Sequence, residues 1–225
     1  MSLKPLKASE IKKNQSKLNA KMNKAKKKIE GILPPYIYII SEGTKTEPNY
    51  IAGMVRTINS KYYDFGSKNR IVVKGTGRST RSLLNYARKQ VEKELPEATV
   101  VWLMYDKDDF PEDDFDNTQY SAEGRQDKRE YRVAWSNECI ELWFVWHYQE
   151  LVSDNGREHC RKILEEKIGY EKKQQNIYDV LADKTEIAIQ RAEKQYESYG
   201  EDVPPSKRCP ATRVHELVKY LQQYL

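Results

Sequence analysis

The sequence predicts an α/β fold: a mostly parallel sheet flanked by helices, with a helical C-terminal insertion and cover. Three observations predict it. Short apolar runs recur near 36–40, 70–74, 99–105 and 131–135, with few charges inside them. Segments with apolar residues at helical spacing follow them. A long charged stretch of helical pattern then occupies about 149–203. Strands buried on both faces read as continuous apolar runs, and their alternation with helices is the signature of a parallel sheet.

Pro34-Pro35 separates the first 33 residues from the rest. Tyr36 to Ile40 reads as a buried strand, rich in β-branched and aromatic residues. It runs into Ser41-Glu42-Gly43-Thr44-Lys45-Thr46-Glu47-Pro48, where Thr46 reads as an N-cap and Pro48 suits a first helical turn. A helix over about 47–59 places Tyr50, Ile51, Met54, Val55 and Ile58 on one stripe. Arg70 to Lys74 is the second strand, and a Gly-rich turn leads to a helix over about 79–94. Thr99 to Tyr105 is the third strand. Residues 106–117 read as an acidic loop, with a helix near 121–128. Tyr131 to Trp135 is the fourth strand, after which Asn137 reads as the N-cap of a helix through His147. Val203-Pro204-Pro205 ends the insertion, and residues 210–225 form a last amphipathic helix.

The chain has 225 residues, enough for one good-sized domain. Its net charge of +5 is unevenly spread. Residues 1–30 hold ten Lys against two Glu, a net +8, so the remaining 29 basic and 32 acidic residues carry −3. Residues 1–33 therefore form a basic arm, flexible or helical, that suits phosphate backbones or simply keeps the chain in solution. No run approaches the ~20 apolar residues of a membrane span, and the Lys-rich start is unlike a secretory signal. Cys139, Cys160 and Cys209 are an odd number at wide spacing, with neither a disulfide framework nor a zinc motif. They fit a reduced, cytoplasmic setting.

The chemistry concentrates at strand ends. Glu42 directly follows the first strand, and Asp106-Lys107-Asp108 directly follows the third. In a parallel sheet these positions emerge together at the carboxyl edge, where ligands bind. Read as an extended segment, Asp106 and Asp108 face the same side. Several carboxylates at one edge repel unless a cation joins them, and Mg²⁺ is the hard, oxygen-seeking candidate, with Mn²⁺ as a substitute. Alone, an Asp-x-Asp is more often a solvated loop or helix cap. Placement after two strands makes a shared site the better reading.

Four ordered segments carry a resemblance: Tyr-Ile-Ile-Ser-Glu-Gly-Thr-Lys-Thr-Glu-Pro-Asn-Tyr ending at Tyr50, Met-Tyr-Asp-Lys-Asp-Asp-Phe from Met104, Ser-Asn-Glu-Cys-Ile-Glu-Leu-Trp-Phe-Val-Trp-His-Tyr from Ser136, and Pro-Ala-Thr-Arg-Val-His-Glu-Leu-Val from Pro210. Together they resemble the RloB family, including AbiL-type abortive-infection proteins, over about 36–225. The resemblance implies a TOPRIM-like domain at 34–225, an anti-phage role, and an ABC- or AAA-type ATPase encoded nearby as partner. It also implies that Glu42 is a general acid/base or metal ligand, that Asp106 and Asp108 bind metal, and that Glu141 matches the glutamate of the family's Ser-Asn-x-x-x-Glu-x-Trp helix. Glu138 and Ile140 depart from that pattern, where Pro and Phe are common, and touch helix start and packing rather than chemistry.

Around this set, Glu141 either completes a metal site or stabilises its helix N-terminus. Glu47 reads first as a helix-start residue, with support of the acids as the alternative. Lys45 can meet a substrate phosphate or balance charge, while Lys107 should point away from its aspartate neighbours. Lys74-Gly75-Thr76-Gly77-Arg78-Ser79-Thr80-Arg81 can receive a phosphate on its backbone N–H groups, with Lys74, Arg78 and Arg81 holding nucleic acid, or be an ordinary turn. It lacks the Walker A spacing. Trp143, Trp146 and His147 read as core.

These readings make a metal-dependent nuclease acting on RNA, such as tRNA, or on DNA. A non-catalytic TOPRIM module that senses nucleic acid and regulates the ATPase is the alternative. A haloacid-dehalogenase-type phosphatase also uses Asp-x-Asp, but usually after its first strand and with Thr or Val where Phe110 stands. Oligomeric state stays open.

Overall fold

A computed structural model describes residues 16–17, 33–63, 68–78 and 80–225. The basic arm predicted over 1–33 lies almost wholly outside the described residues. Pro35–Gln223 form one compact unit.

Five strands make one sheet in the order β2-β1-β3-β4-β5. They are β1 (Ile37–Ser41), β2 (Ile71–Gly75), β3 (Val100–Asp106), β4 (Glu130–Asn137) and β5 (Ala211–Thr212). The first four run parallel, and β5 is antiparallel to β4. Ser41 pairs with Met104 and Asp106 with Ser136, so β1, β3 and β4 end at nearly the same level. The mostly parallel sheet flanked by helices matches the predicted α/β class and its Rossmann-like, TOPRIM-like expectation.

Alternate strand residues feed two cores, as the pleat requires. On one face Tyr38, Ile40, Val101, Leu103, Tyr105, Val133 and Trp135 pack with helices α2 (Thr80–Glu94) and α3 (Glu112–Glu123) through Leu83, Ala87, Val91 and Phe115. The opposite face meets α1 (Thr46–Tyr62), which buries Tyr50, Ile51, Met54, Val55 and Ile58, the stripe read from the sequence. Beyond β4 comes α4 (Glu141–Trp146), and then α5 (Gly156–Ile168), α6 (Ile177–Leu181) and α7 (Thr185–Glu197), which fall within the predicted insertion. Here α4 packs on α5 and α7, and α6 packs on α1. The chain then returns through β5 to α8 (Val214–Gln222).

Several local expectations need correction. The acidic run is helical from Glu112, because three acids in its first turn complement the positive end of the helix. Predicting a loop there, and a helix at 121–128, misplaced the element. Asn137 is the last residue of β4 and no N-cap: its side-chain amide donates to Ser206 O at 2.9 Å. Thr46 lies inside α1, where Lys45 takes the cap position. The last helix begins only at Val214, because Ala211 and Thr212 pair with β4. That pairing is reinforced by a hydrogen bond between the Ser136 and Thr212 hydroxyls at 3.0 Å.

Candidate functional site

The carboxyl edge of the sheet opens into a cleft of about 540 Å³. Glu42, Glu47, Asp106, Asp108 and Glu141 all line it. They come from the ends of β1 and β3, from the turn after β3, and from the first turns of α1 and α4. The sequence spacing therefore translates into one acidic pocket, with Glu47 as a full member.

Each acid is held by local structure. The Glu42 N–H donates to Met104 O at 2.8 Å, extending the β1–β3 ladder by one residue. Its carboxylate accepts the Thr80 hydroxyl at 2.7 Å. The Asp106 carboxylate accepts the Ile140 N–H at 3.1 Å, which ties β3 to the start of α4. Glu47 is only 7% exposed and accepts the Gly43 N–H at 3.1 Å. Glu141 is 2% exposed and meets the Arg161 Nε at 3.2 Å and the Tyr170 hydroxyl at 3.4 Å.

Asp108 departs from the extended segment expected of it. Its φ is +41°, and its N–H donates to Glu138 O at 3.2 Å. The chain turns there, and the turn rather than strand alternation brings Asp108 into the cleft with Asp106. The Lys107 ammonium donates to Phe110 O at 2.6 Å, pointing elsewhere as predicted.

Crowding of acids under partial burial raises their proton affinity. Burial pushes Glu42 up to about 7, with Asp108 and Glu47 adding to the rise and the Thr80 hydrogen bond opposing it. Burial first, then Glu47, Glu141 and Asp108, hold Asp106 well above the carboxylate range. Burial likewise raises Glu47, with Glu141 and Asp108 contributing. Asp108 is raised by burial while Arg157 pulls it back.

The remaining charged residues of the lining are basic: Lys45, Arg78, Arg157, Arg161, Lys172 and Lys173. Lys45 and Arg78 were expected. Lys74 is not in this group, since its ammonium pairs with Glu94 away from the cleft. The side chain of Arg81 lies outside the described residues. The last four cations belong to the insertion and were missed, because charged helical residues look alike in sequence. The spacing of Arg157 and Arg161, four apart on one helical face, was the available signal.

Behind the acids, α1 and α4 are joined by aromatic rings. The Tyr50 ring lies 5.3 Å from that of Phe144 and 6.4 Å from those of Trp143 and His147, centroid to centroid. Trp143, Trp146 and His147 are buried, as their core reading anticipated. This cluster fixes the helices that carry Glu47 and Glu141.

Among the described residues, no three His, Cys, Asp or Glu side chains stand close enough to grip one ion together. The donor set nonetheless fits a hard divalent cation. Mg²⁺ commonly takes one or two protein carboxylates and fills its octahedron with waters and substrate oxygens. Burial first, and then mutual repulsion, raise Glu42, Glu47 and Asp106, and such a charge relieves the repulsion.

A family model described as RloB-like protein matches residues 37–221. No curated protein and no solved structure matches the chain.

Proposed function

Since the chain belongs to the RloB-like family, we propose that it is a metal-dependent nuclease that cleaves nucleic-acid phosphodiesters at the carboxyl-edge cleft. The observation that carries this reading is the pairing of five convergent acids with a basic rim in a single open cleft. One or two carboxylates drawn from Asp106, Asp108 and Glu42 would hold Mg²⁺ or Mn²⁺, with waters and phosphate oxygens completing its shell, and Glu141 stands beside them. When bound, the cation supplies charge stabilisation at the phosphoryl oxygens. Glu42, with its proton affinity near neutrality, can exchange a proton with water or with the leaving oxygen. Thr80 and the strand ladder keep its carboxylate aimed into the cleft. Lys45 and Arg78, at the rim, orient the phosphate backbone.

The family resemblance adds an anti-phage role, with an ABC- or AAA-type ATPase as the partner that restrains or triggers cleavage. A non-catalytic sensor is the second reading, favoured by one observation: Arg157 and Arg161 pair with Asp108 and Glu141, so the chain's own cations neutralise two of the acids.

The test is incubation of the purified chain, alone and co-expressed with the neighbouring ATPase, with tRNA, mRNA and DNA in Mg²⁺, Mn²⁺ or EDTA. Cleavage that needs the cation and is abolished by Asp106→Ala and by Asp108→Ala is expected. Wild-type cleavage by either variant would remove the site assignment. Nucleic-acid binding without cleavage, under every partner condition, would favour the sensor.

A further inference from the structure

The insertion places a cation directly against the acids. The Arg157 guanidinium stands 3.1 Å from an Asp108 carboxylate oxygen and 3.5 Å from Asp109. One helical turn later on α5, Arg161 reaches Glu141 at 3.2 Å. The two pairs differ in kind. Glu141 is almost fully enclosed and also meets the Tyr170 hydroxyl, so separating Arg161 from it would strand a buried carboxylate. Arg157 and Asp108 are both partly open to solvent, at 27% and 37%, and Asp109 is fully exposed. Ion pairs that open hold weakly and break readily.

Asp108 is also one of the acids read as a metal ligand. A divalent cation carries twice the charge of a guanidinium and binds carboxylate oxygen directly, so the two compete for the same atoms. An arginine displaced from Asp108 stays anchored on α5 at the cleft wall, beside the space a metal-bound phosphate would fill. Its planar fork matches two oxygens of one phosphate.

Two further cations line the same wall. Lys172 and Lys173 sit in the turn after α5. That turn is fastened to α1 by the Asn49 side-chain amide, which donates to Lys173 O at 2.9 Å and Gln174 O at 3.3 Å.

We propose that Arg157 is a partner-exchanging phosphate-binding residue: it neutralises Asp108 in the metal-free protein and transfers to a substrate phosphate when a divalent cation takes its place. Arg161, Lys172 and Lys173 form the fixed part of the same phosphate-binding wall. This inference rests on the metal-dependent reading above and deepens it, because it assigns backbone binding to the insertion rather than to the sheet loops alone.

The exchange predicts opposite effects of one substitution on two ligands. Mn²⁺ binding, read by its paramagnetic resonance signal, is measured for the wild type, Arg157→Gln, Arg157→Lys and the remote control Arg132→Gln. Binding of a labelled single-stranded oligonucleotide is followed by anisotropy for the same proteins, in EDTA and in Ca²⁺. Arg157→Gln should bind Mn²⁺ several-fold more tightly, because its competitor is gone. It should bind the oligonucleotide about tenfold more weakly in Ca²⁺, the scale of one lost charge-assisted contact. In EDTA its oligonucleotide affinity should match the wild type, since Arg157 is then occupied by Asp108. Arg157→Lys should fall between, and Arg132→Gln should shift neither ligand in this pattern.

Unchanged or weaker Mn²⁺ binding by Arg157→Gln would overturn the exchange. So would an oligonucleotide loss of equal size in EDTA and Ca²⁺, which is the signature of plain charge removal. A wild type that binds no Mn²⁺ would overturn the metal-dependent reading and the exchange together, which separates the two failures.

Discussion

Asp108 combines a cleft-lining carboxylate with an uncommon backbone. At φ +41° a residue with an ordinary Cβ meets its neighbouring carbonyl, at a cost of roughly 1–2 kcal/mol, which Asp and Asn partly recover by local hydrogen bonding. Substitutions here therefore separate chemistry from conformation. Asp108→Asn and Asp108→Ala should both lose metal-dependent cleavage. In urea denaturation the Ala variant should be less stable than the Asn variant by about 1 kcal/mol. Equal stabilities would mean that the backbone at this position relaxes freely.

At the scale of elements, the site depends on how closely the loops after β1 and β2 approach. A Cβ on Gly75 would fall 2.6 Å from Gly43 O and 2.8 Å from the Thr44 Cα. Both contacts are with backbone, so the Glu42–Thr44 turn would have to move. Gly75→Ala is expected to leave a folded protein whose cleavage rate drops by about two orders of magnitude, the cost of misplacing a reacting group by an ångström. A circular-dichroism spectrum like the wild type's, beside a loss of metal-stimulated activity on that scale, would match; full activity would show that the turn tolerates the shift. Element order explains what the sequence could reveal. Strands β1, β3 and β4 announced themselves because their burial is nearly continuous, and the half-buried edge strand β2 by its β-branched residues. The acids at 42, 106 and 108 were readable because a parallel sheet delivers strand ends to one edge. Residues 211–212 escaped notice because a two-residue strand carries no periodicity. Arg157 and Arg161 escaped because only tertiary packing turns a charged helix toward acids well before it in the chain. Glu47 was undervalued because acids at helix starts are common for reasons unrelated to any site.

For the molecule as a whole, charge and proton balance set the conditions of stability. His147 and His215 are both buried, each with Nδ1 near a backbone carbonyl, at 2.9 Å from Trp143 O and 2.8 Å from Thr212 O. Burial pulls His147 down to about 4 and lowers His215 as well. A histidine whose folded value lies below its unfolded one favours the folded state above about pH 6.5, and that advantage is lost as pH falls toward 4. The raised cleft acids act in the opposite sense over part of that window, so the comparison needs a variant. The stability margin of the wild type over His147→Phe, taken from urea midpoints, should be widest at pH 8 and should narrow steadily toward pH 4; a constant margin would contradict a neutral buried imidazole. The basic N-terminal residues enter through their charge. Removing residues 1–30 takes away a net +8, and nucleic-acid affinity should fall, with a shallower dependence on salt concentration. Intact cleavage at saturating substrate should accompany that loss, and an unaltered salt slope would make the segment a solubility device.

The cleft has a floor and a wall of different origin. Acids stand at strand ends and helix starts, while Arg157, Arg161, Lys172 and Lys173 arrive on a detour of chain between α4 and β5. Such a division lets the detour lengthen, shorten or change its charges without disturbing the floor. Under the proposed nuclease reading, a change of charge on the wall would alter which polymer is gripped and leave the acids in place.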